Sequence, residues 1–294
     1  MSNRAPAAVP VPSLGPWEQV GDRTWRAVAQ PEAVTIGLVA GSEGALVIDT
    51  GSSPAQGEQI RRSAEEVAGV PVVTVALTHA HYDHVGGLGA FADLPIHAHL
   101  DLARHLADPA LAADLAPYGV DPADLPRPDR TFGVVRAVSL GDRVVELISV
   151  GAAHTDHDVI AVVADVKCIF AGDVVEPAGP EFGPDADPER WPASLDNLIG
   201  LMLRPGWTAL PGHGEAMTMS EITLQRGWIA SILGEVTNLV SDGVRYEDAE
   251  QRGDWPFPWE RIAPGVRTAY DRLAERGFAP RDQLPIIRKD LRQD

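Results

Sequence analysis

The 294-residue chain predicts an α/β fold in which β-sheets pack between layers of helix. Strand-like and helix-like segments alternate in both halves, in the order β–helix–β and then β–helix. That is the pattern of sheets covered by helices. One short and nearly continuous apolar run, Pro71–Leu77, reads as a strand buried on both faces. With 45% hydrophobic and 22% charged residues, the chain can bury a large core. Its 28 glycines and 25 prolines promise many turns.

Residues 1–16, rich in Ala and Pro, read as a flexible leader. A β-like stretch follows, with Trp25–Val28, Val34–Val39 and Ala45–Asp49 as strands and Gly41–Gly44 as the hairpin turn between the last two. Thr50–Pro54 then breaks the run. Ser53 suits a helix N-cap and Pro54 the first helical position, so a helix is expected to about Ala68, ending at Gly69. Pro95–His99 alternates as a strand. In the second half Phe132–Leu140, Val144–Val150, Val159–Val163 and Lys167–Ala171 read as strands. Helical spacing marks 193–203, 220–241 and Ala263–Arg276. Segments 104–131 and 174–192 lack periodicity and read as long binding loops or lids. We expect a core domain over 17–219, with the C-terminal helices of 220–294 packed on it. The stripe Trp228, Ile229, Ile232, Leu233, Val236 and Leu239 is most simply core packing, and a homodimer through it is left open.

A net charge of −18 repels phosphate backbones and anionic membranes, so neither nucleic acid nor a membrane is an expected partner. No apolar run is long enough for a membrane helix, and the N-terminus lacks the apolar core of a secretory signal. A cytoplasmic protein is expected. The single cysteine, Cys168, excludes an internal disulfide and an all-cysteine zinc site. It sits among Val166, Ile169 and Phe170 and reads as a small buried hydrophobe.

The chemistry concentrates in Thr78-His-Ala-His-Tyr-Asp-His84, where four potential metal ligands follow a buried strand directly. His154, Asp173 and His213 lie downstream, each at the end of a predicted strand or in the loop after it. His79 and His81 are two apart, so a helix would splay them, whereas a turn leaving a strand lets both face one point. Asp83 and His84 then project toward a second point a few ångströms away. Imidazole suits zinc, and a carboxylate can bridge two ions with its two oxygens. His79, His81 and His154 would hold one ion, Asp83, His84 and His213 a second, and Asp173 would bridge them. A buried strand running into four polar side chains would otherwise have to satisfy them all. His97, His99 and His105 are read as ordinary hydrogen-bonded or solvated side chains.

His79-Ala-His-Tyr-Asp-His84 with His154, Asp173 and His213 resembles the metallo-β-lactamase fold superfamily, as does Leu46-Val-Ile-Asp-Thr-Gly51 upstream. The resemblance implies a four-layer αβ/βα sandwich of two mixed sheets flanked by helices, with a dinuclear metal site at one sheet edge. It also implies that Asp49 orients the metal loop rather than ligating. The implied function is a zinc-dependent hydrolase with two Zn²⁺ per chain, iron or manganese being the alternatives. A metal-bridging hydroxide, its pKa lowered from 15.7 toward about 7, would cleave an ester-like, thioester, lactone or amide bond in a small molecule. Asp83 would align that nucleophile and Tyr82 could donate its hydroxyl to the substrate carbonyl or pack beneath the loop. Because histidine must be neutral to ligate, activity and metal content should fall together below about pH 6.5. Asp173 resembles the acid of glyoxalase II-like thioester hydrolases and lactonases, although the Tyr that lactonases often carry shortly after it is missing at Val174–Glu176. The rival is a persulfide dioxygenase of the same fold, with a single iron on His79, His154 and Asp173. His157, Glu176, Glu181, Phe182 and Trp191 are candidates for the pocket lining.

Overall fold

The computed structural model describes residues 11–278. Two mixed sheets lie face to face with helices on both outer sides. The first sheet has eight strands. Ser13–Leu14 and Glu18–Gly21 both pair with Thr24–Gln30, which is followed across the sheet by Val34–Ala40, Ala45–Ile48, Val72–Ala76, Ile96–His99 and Arg130–Phe132. Pairing is antiparallel up to Ala45–Ile48 and parallel beyond. The second sheet runs Thr208–Pro211, Cys168–Gly172, Ile160–Val163, Val144–Ile148, Val135–Ser139, with only the first pair parallel.

Strand alternation produces the layers, since successive side chains face opposite ways. Leu46 and Ile48 face inward with Ala161, Val163 and Phe170, forming the core between the sheets. Val47 and Leu38 face outward onto Ile60 and Ala64 of the helix Pro54–Ala68. Ile160, Val162 and Ile169 face the other way, onto Trp191–Leu201, Met219–Ser241 and Trp259–Glu275. The result is the four-layer αβ/βα sandwich.

Ser53 caps the first helix, accepting from the Gln56 N–H at 3.3 Å, and Gly69 ends it at φ 68°. Several boundaries differ from the sequence reading. Ser13–Leu14, placed in the leader, pairs with Gln30 and Ala29, while residues 1–10 and 279–294 lie outside the described residues. The expected strand Phe132–Leu140 is two strands in two different sheets, because the chain crosses between layers at Gly133–Val134. The expected loop 104–131 holds a short helix, Pro109–Leu115, capped by Asp108. The last helix starts at Trp259 rather than Ala263, with Pro264 inside it. Among the described residues, no helix is long and apolar enough to cross a membrane.

Candidate metal centre

The strand Val72–Ala76 is buried and ends at one edge of the sandwich, where the neighbouring strand end supplies Asp49. Asp49 has a left-handed backbone, φ 62°, which aims its carboxylate at the His79–His84 turn. It accepts from the Thr78 N–H and from the Thr78 hydroxyl, both at 2.8 Å, and lies 2.9 Å from His84 Nδ1. His79 and His81 leave the strand in extended form. One helical turn, Tyr82–Val85, then swings Asp83 and His84 inward. His154 sits in the loop after the Val144–Ile148 strand, and the following turn is clasped by Asp158, which accepts from Thr155 N–H and Oγ1, both at 2.8 Å. Burial pushes the Asp158 carboxyl up to about 7. Asp173 follows the strand Cys168–Gly172, and His213 follows Thr208–Pro211.

All seven ligand candidates come together. His81 Nδ1 is 3.0 Å from both His79 Nε2 and His154 Nε2. Asp173 Oδ2 stands 3.7 Å from His79 Nε2 and 3.5 Å from His154 Nε2. On the other side, Asp83 Oδ2 is 3.1 Å from His213 Nε2 and 3.7 Å from His84 Nε2. Asp173 reaches this second group too, at 3.6 Å from both His84 Nε2 and His213 Nε2. Asp173 therefore faces both groups.

The donor set fits divalent cations. His84 Nε2 and Asp173 Oδ1 are buried at its centre without a hydrogen-bond partner. Bonds of about 2.0–2.1 Å in a tetrahedron imply ligand-to-ligand edges of about 3.3–3.4 Å, within the range of the separations above. Gly212 completes the cradle: a Cβ there would stand 1.8 Å from Asp173 Oδ1.

Most of the imidazoles are held from behind, the arrangement that orients ligating histidines. His79 Nδ1 meets Thr78 Oγ1 at 3.1 Å, and His84 meets Asp49. His81 Nε2 is held by Asp185 at 3.1 Å, and His213 Nδ1 donates to the Glu32 carbonyl at 3.0 Å. His154 Nδ1 faces Glu176 Oε1 at 3.6 Å. Electrostatics follow from this crowding. Burial holds His79 well below the ordinary histidine range and brings His154 down to about 4. Burial also opposes charge on Asp173, but His84 and His79 beside it outweigh that and hold it well below the usual carboxylate range.

Tyr82 lines the cleft over this centre and stacks on Tyr118, ring centroids 5.6 Å apart. Burial, then the Asp83 charge and a bond to Glu32, raise its hydroxyl so that it stays protonated. Glu176 and Glu181 also line the cleft. Phe182 and Trp191 do not: both are turned into the core, where Trp191 donates to the Val174 carbonyl and packs edge-on against His154. His157 is also buried, and its Nε2 accepts from the Ala80 N–H at 3.1 Å, bracing the backbone between His79 and His81. His105 stacks on His157 beside Asp156, away from the cleft. Cys168 is buried, which pushes its thiol up to about 12. Asp185, the Glu32 carbonyl and Gly212 escape the sequence reading. Asp185 at least lies in the Asp-rich loop 174–192 that it marks for binding.

Among known proteins, the family model described as the metallo-beta-lactamase superfamily matches residues 29–213. Two proteins called metallo-beta-lactamase type 2, from Bacillus sp. (strain 170) and Bacillus cereus, are each 26% identical over 177 residues, covering 59% of this chain. The match spans 64% of the length of those relatives. The solved structure of a metallo-beta-lactamase from Pontibacter korlensis superposes with a TM-score of 0.62 at 20% identity, covering 74% of this chain and 99% of that one, which is a likeness of fold. The family match takes in more than half of the chain and runs from before the first ligand candidate to His213, so the chain belongs to the metallo-beta-lactamase superfamily.

Proposed function

We propose that the protein is a metal-dependent hydrolase that works with two zinc ions and cleaves an ester-like, thioester, lactone or amide bond in a small molecule. One ion would be held by His79, His81 and His154, the other by Asp83, His84 and His213, with Asp173 between them. The observation that carries this reading is the second group. Asp83, His84 and His213 are gathered beside the first three histidines, and Asp173 lies within 3.5–3.7 Å of nitrogens in both groups. When bound, a pair of divalent ions lowers the pKa of water toward about 7 and polarises a carbonyl.

The chain's own residues supply the rest. Burial works against the charge of Asp83, but His84 and His213 beside it keep the carboxylate ionised. It lines the cleft, so it can accept a hydrogen bond from the attacking solvent molecule and align it. Tyr82 keeps its proton and stands on the same wall, its hydroxyl held by Glu32. Asp49, Asp185 and the Glu32 carbonyl fix the imidazole rings, so little reorganisation is left for the reaction itself.

A single iron on His79, His154 and Asp173 would leave Asp83, His84 and His213 assembled for no purpose, which weighs against a persulfide dioxygenase. Elemental analysis with a substrate panel tests the proposal. Two zinc ions per chain with turnover of a thioester, lactone, ester or amide is the expected result. One iron with oxygen uptake on glutathione persulfide would replace it with the dioxygenase.

A further inference from the structure

The three histidines of the first group come from two segments. His79 and His81 leave the strand Val72–Ala76, and His154 stands in the turn before Ile160–Val163. His157 ties those segments to each other. Its Nε2 accepts from the Ala80 N–H at 3.1 Å, between the first two ligand candidates, and it follows the third by three residues. Its backbone is fixed within the His154 turn, where its N–H donates to Thr155 Oγ1 at 3.2 Å. Both His157 and Ala80 are buried, so the Ala80 N–H depends on this one acceptor.

A ring nitrogen that accepts carries no hydrogen. The His157 ring is therefore neutral with its hydrogen on Nδ1, which donates to Asp156 Oδ1 at 3.0 Å. Asp156 is anchored in turn: His105 Nε2 donates to the same oxygen at 2.8 Å, and Arg104 donates to the other. His105, Asp156 and His157 bring their donor atoms within 4.8 Å of one another, close enough for an ion. An ion on His157 Nδ1 would move the ring hydrogen to Nε2, where it would point at the Ala80 hydrogen, and Arg104 would add a second positive charge beside it. The trio is thus a hydrogen-bonded anchor rather than a third metal site. The second ligand group has its own supports: Thr50 donates to the His84 carbonyl, Asp49 meets His84 Nδ1, and the Glu32 carbonyl accepts from His213. We propose that Asp156 and His157 are positioning residues for the first ion alone: Asp156 fixes the His157 tautomer, the bare Nε2 holds the Ala80 N–H, and this sets His79 and His81 against His154 without touching the Asp83, His84 and His213 group. The proposal rests on the reading that each group holds an ion.

Zinc titration of the full chain against a chelator reads each group once the other is disabled. In a His213→Ala background, which keeps His79, His81 and His154, His157→Leu removes the acceptor at similar volume and should lower zinc affinity about 10- to 100-fold. His157→Gln, whose Oε1 reaches the place of Nε2, should restore it to within about threefold. In a His81→Ala/His154→Ala background, which keeps the second group, His157→Leu should leave affinity unchanged. Asp156→Ala frees the tautomer and should cost about tenfold in the first background, whereas Asp156→Asn, whose amide oxygen still accepts from Nδ1, and Arg104→Gln, at an exposed position, should cost little. Melting curves confirm folding, and should His157→Leu fail to fold, Asp156→Ala at its partly exposed position gives the same reading. Nitrogen-15 correlation spectra of the metal-free protein should show His157 with its hydrogen on Nδ1 and a bare Nε2. The opposite tautomer, an unchanged affinity in the first background or an equal loss in both overturns the proposal. So does a third zinc ion that His105→Ala removes. A selective loss with no substrate turned over leaves the positioning role standing while the hydrolase reading falls, and turnover with unaltered affinities does the reverse. A chain that binds no metal overturns both.

Discussion

Gly212→Ala tests the centre without touching a ligand. A methyl group there would meet Asp173 Oδ1 at 1.8 Å and His84 Cε1 at 3.0 Å. The backbone cannot easily withdraw, because Gly212 donates to the Gly172 carbonyl at 2.9 Å and accepts from the Thr35 N–H at 2.6 Å. Asp173 must therefore retreat. Ordinary contact begins near 3.4 Å, so its oxygen has to move by about 1.6 Å. A misplacement of about 1 Å costs on the order of 100-fold in rate, so kcat/KM should fall about 100- to 1,000-fold. Metal affinity should fall at least about 100-fold, or about 3 kcal/mol, since Asp173 faces both ligand groups. The fold should survive, because a side chain at the cleft gives way rather than the sheet. A chelator-competition titration reads the affinity, elemental analysis the metal count, and thermal melting of the metal-free protein the stability. Gly200→Ala is the control: nothing lies within 4 Å of its added carbon, and in its helix it should stabilise by about 0.5–1 kcal/mol. If Gly212→Ala binds two metal ions as tightly as the wild type, Asp173 does not lie between the two sites and its bridging role fails.

Asp185→Asn removes the charge that holds His81 Nε2, and metal affinity should drop about 10- to 100-fold in the same titration, with the metal-free melting temperature little changed. His97 is buried on the first sheet with Nδ1 unpartnered, and burial, with Arg136 next, lowers it to about 4. The folded state thus prefers the neutral ring. That stability is fully present above the ordinary pKa of 6.5 and is lost as pH falls toward 4, at most about 3 kcal/mol. Urea melts of His97→Gln between pH 7.5 and 4 should show a shallower acid loss than wild type; parallel curves would contradict the assignment. Free zinc at about 1,000 times its dissociation constant should add about 4 kcal/mol per site to stability, raising the melting temperature by about 8–16 °C, and EDTA should reverse the rise.

Local chemistry was readable wherever it was local. Ser53, Pro54 and Gly69 mark the helix Pro54–Ala68 because capping involves residues only a few positions apart. The same logic was available at Asp108-Pro109, where it opens the short helix that the loop reading of 104–131 passed over. The six residues His79–His84 are legible for the same reason, and strand ends supply His154, Asp173 and His213. What could not be read depends on packing between layers. Phe132–Leu140 has uniform β character, and nothing local says that its two halves join different sheets across Gly133–Val134. The residues that hold the imidazoles come from 104 positions away for His81 and 181 for His213. Phe182 lies in the loop that also contributes to the cleft and Trp191 opens the helix after it, and only the fold shows that they turn into the core.

The candidate metal centre is also the seam of the two sheets. Val159 donates to the Thr78 carbonyl, which joins the second sheet to the strand end that launches His79. Thr35 donates to the Gly212 carbonyl beside His213, and Val34 bridges to His213 itself. The backbone beside His79 and His213 is thus placed by main-chain bonds between strand ends of the two sheets. The wall of the cleft has a different origin. Glu32 sits in a strand connection, Asp114 on a short peripheral helix, and Glu181 and Glu215 in loops. A charge there can change without disturbing a single ligand candidate or inter-sheet bond. A motif anchored in strand ends therefore identifies a superfamily and a kind of chemistry, while the cleft wall around it is built from connecting segments that the fold leaves free to vary.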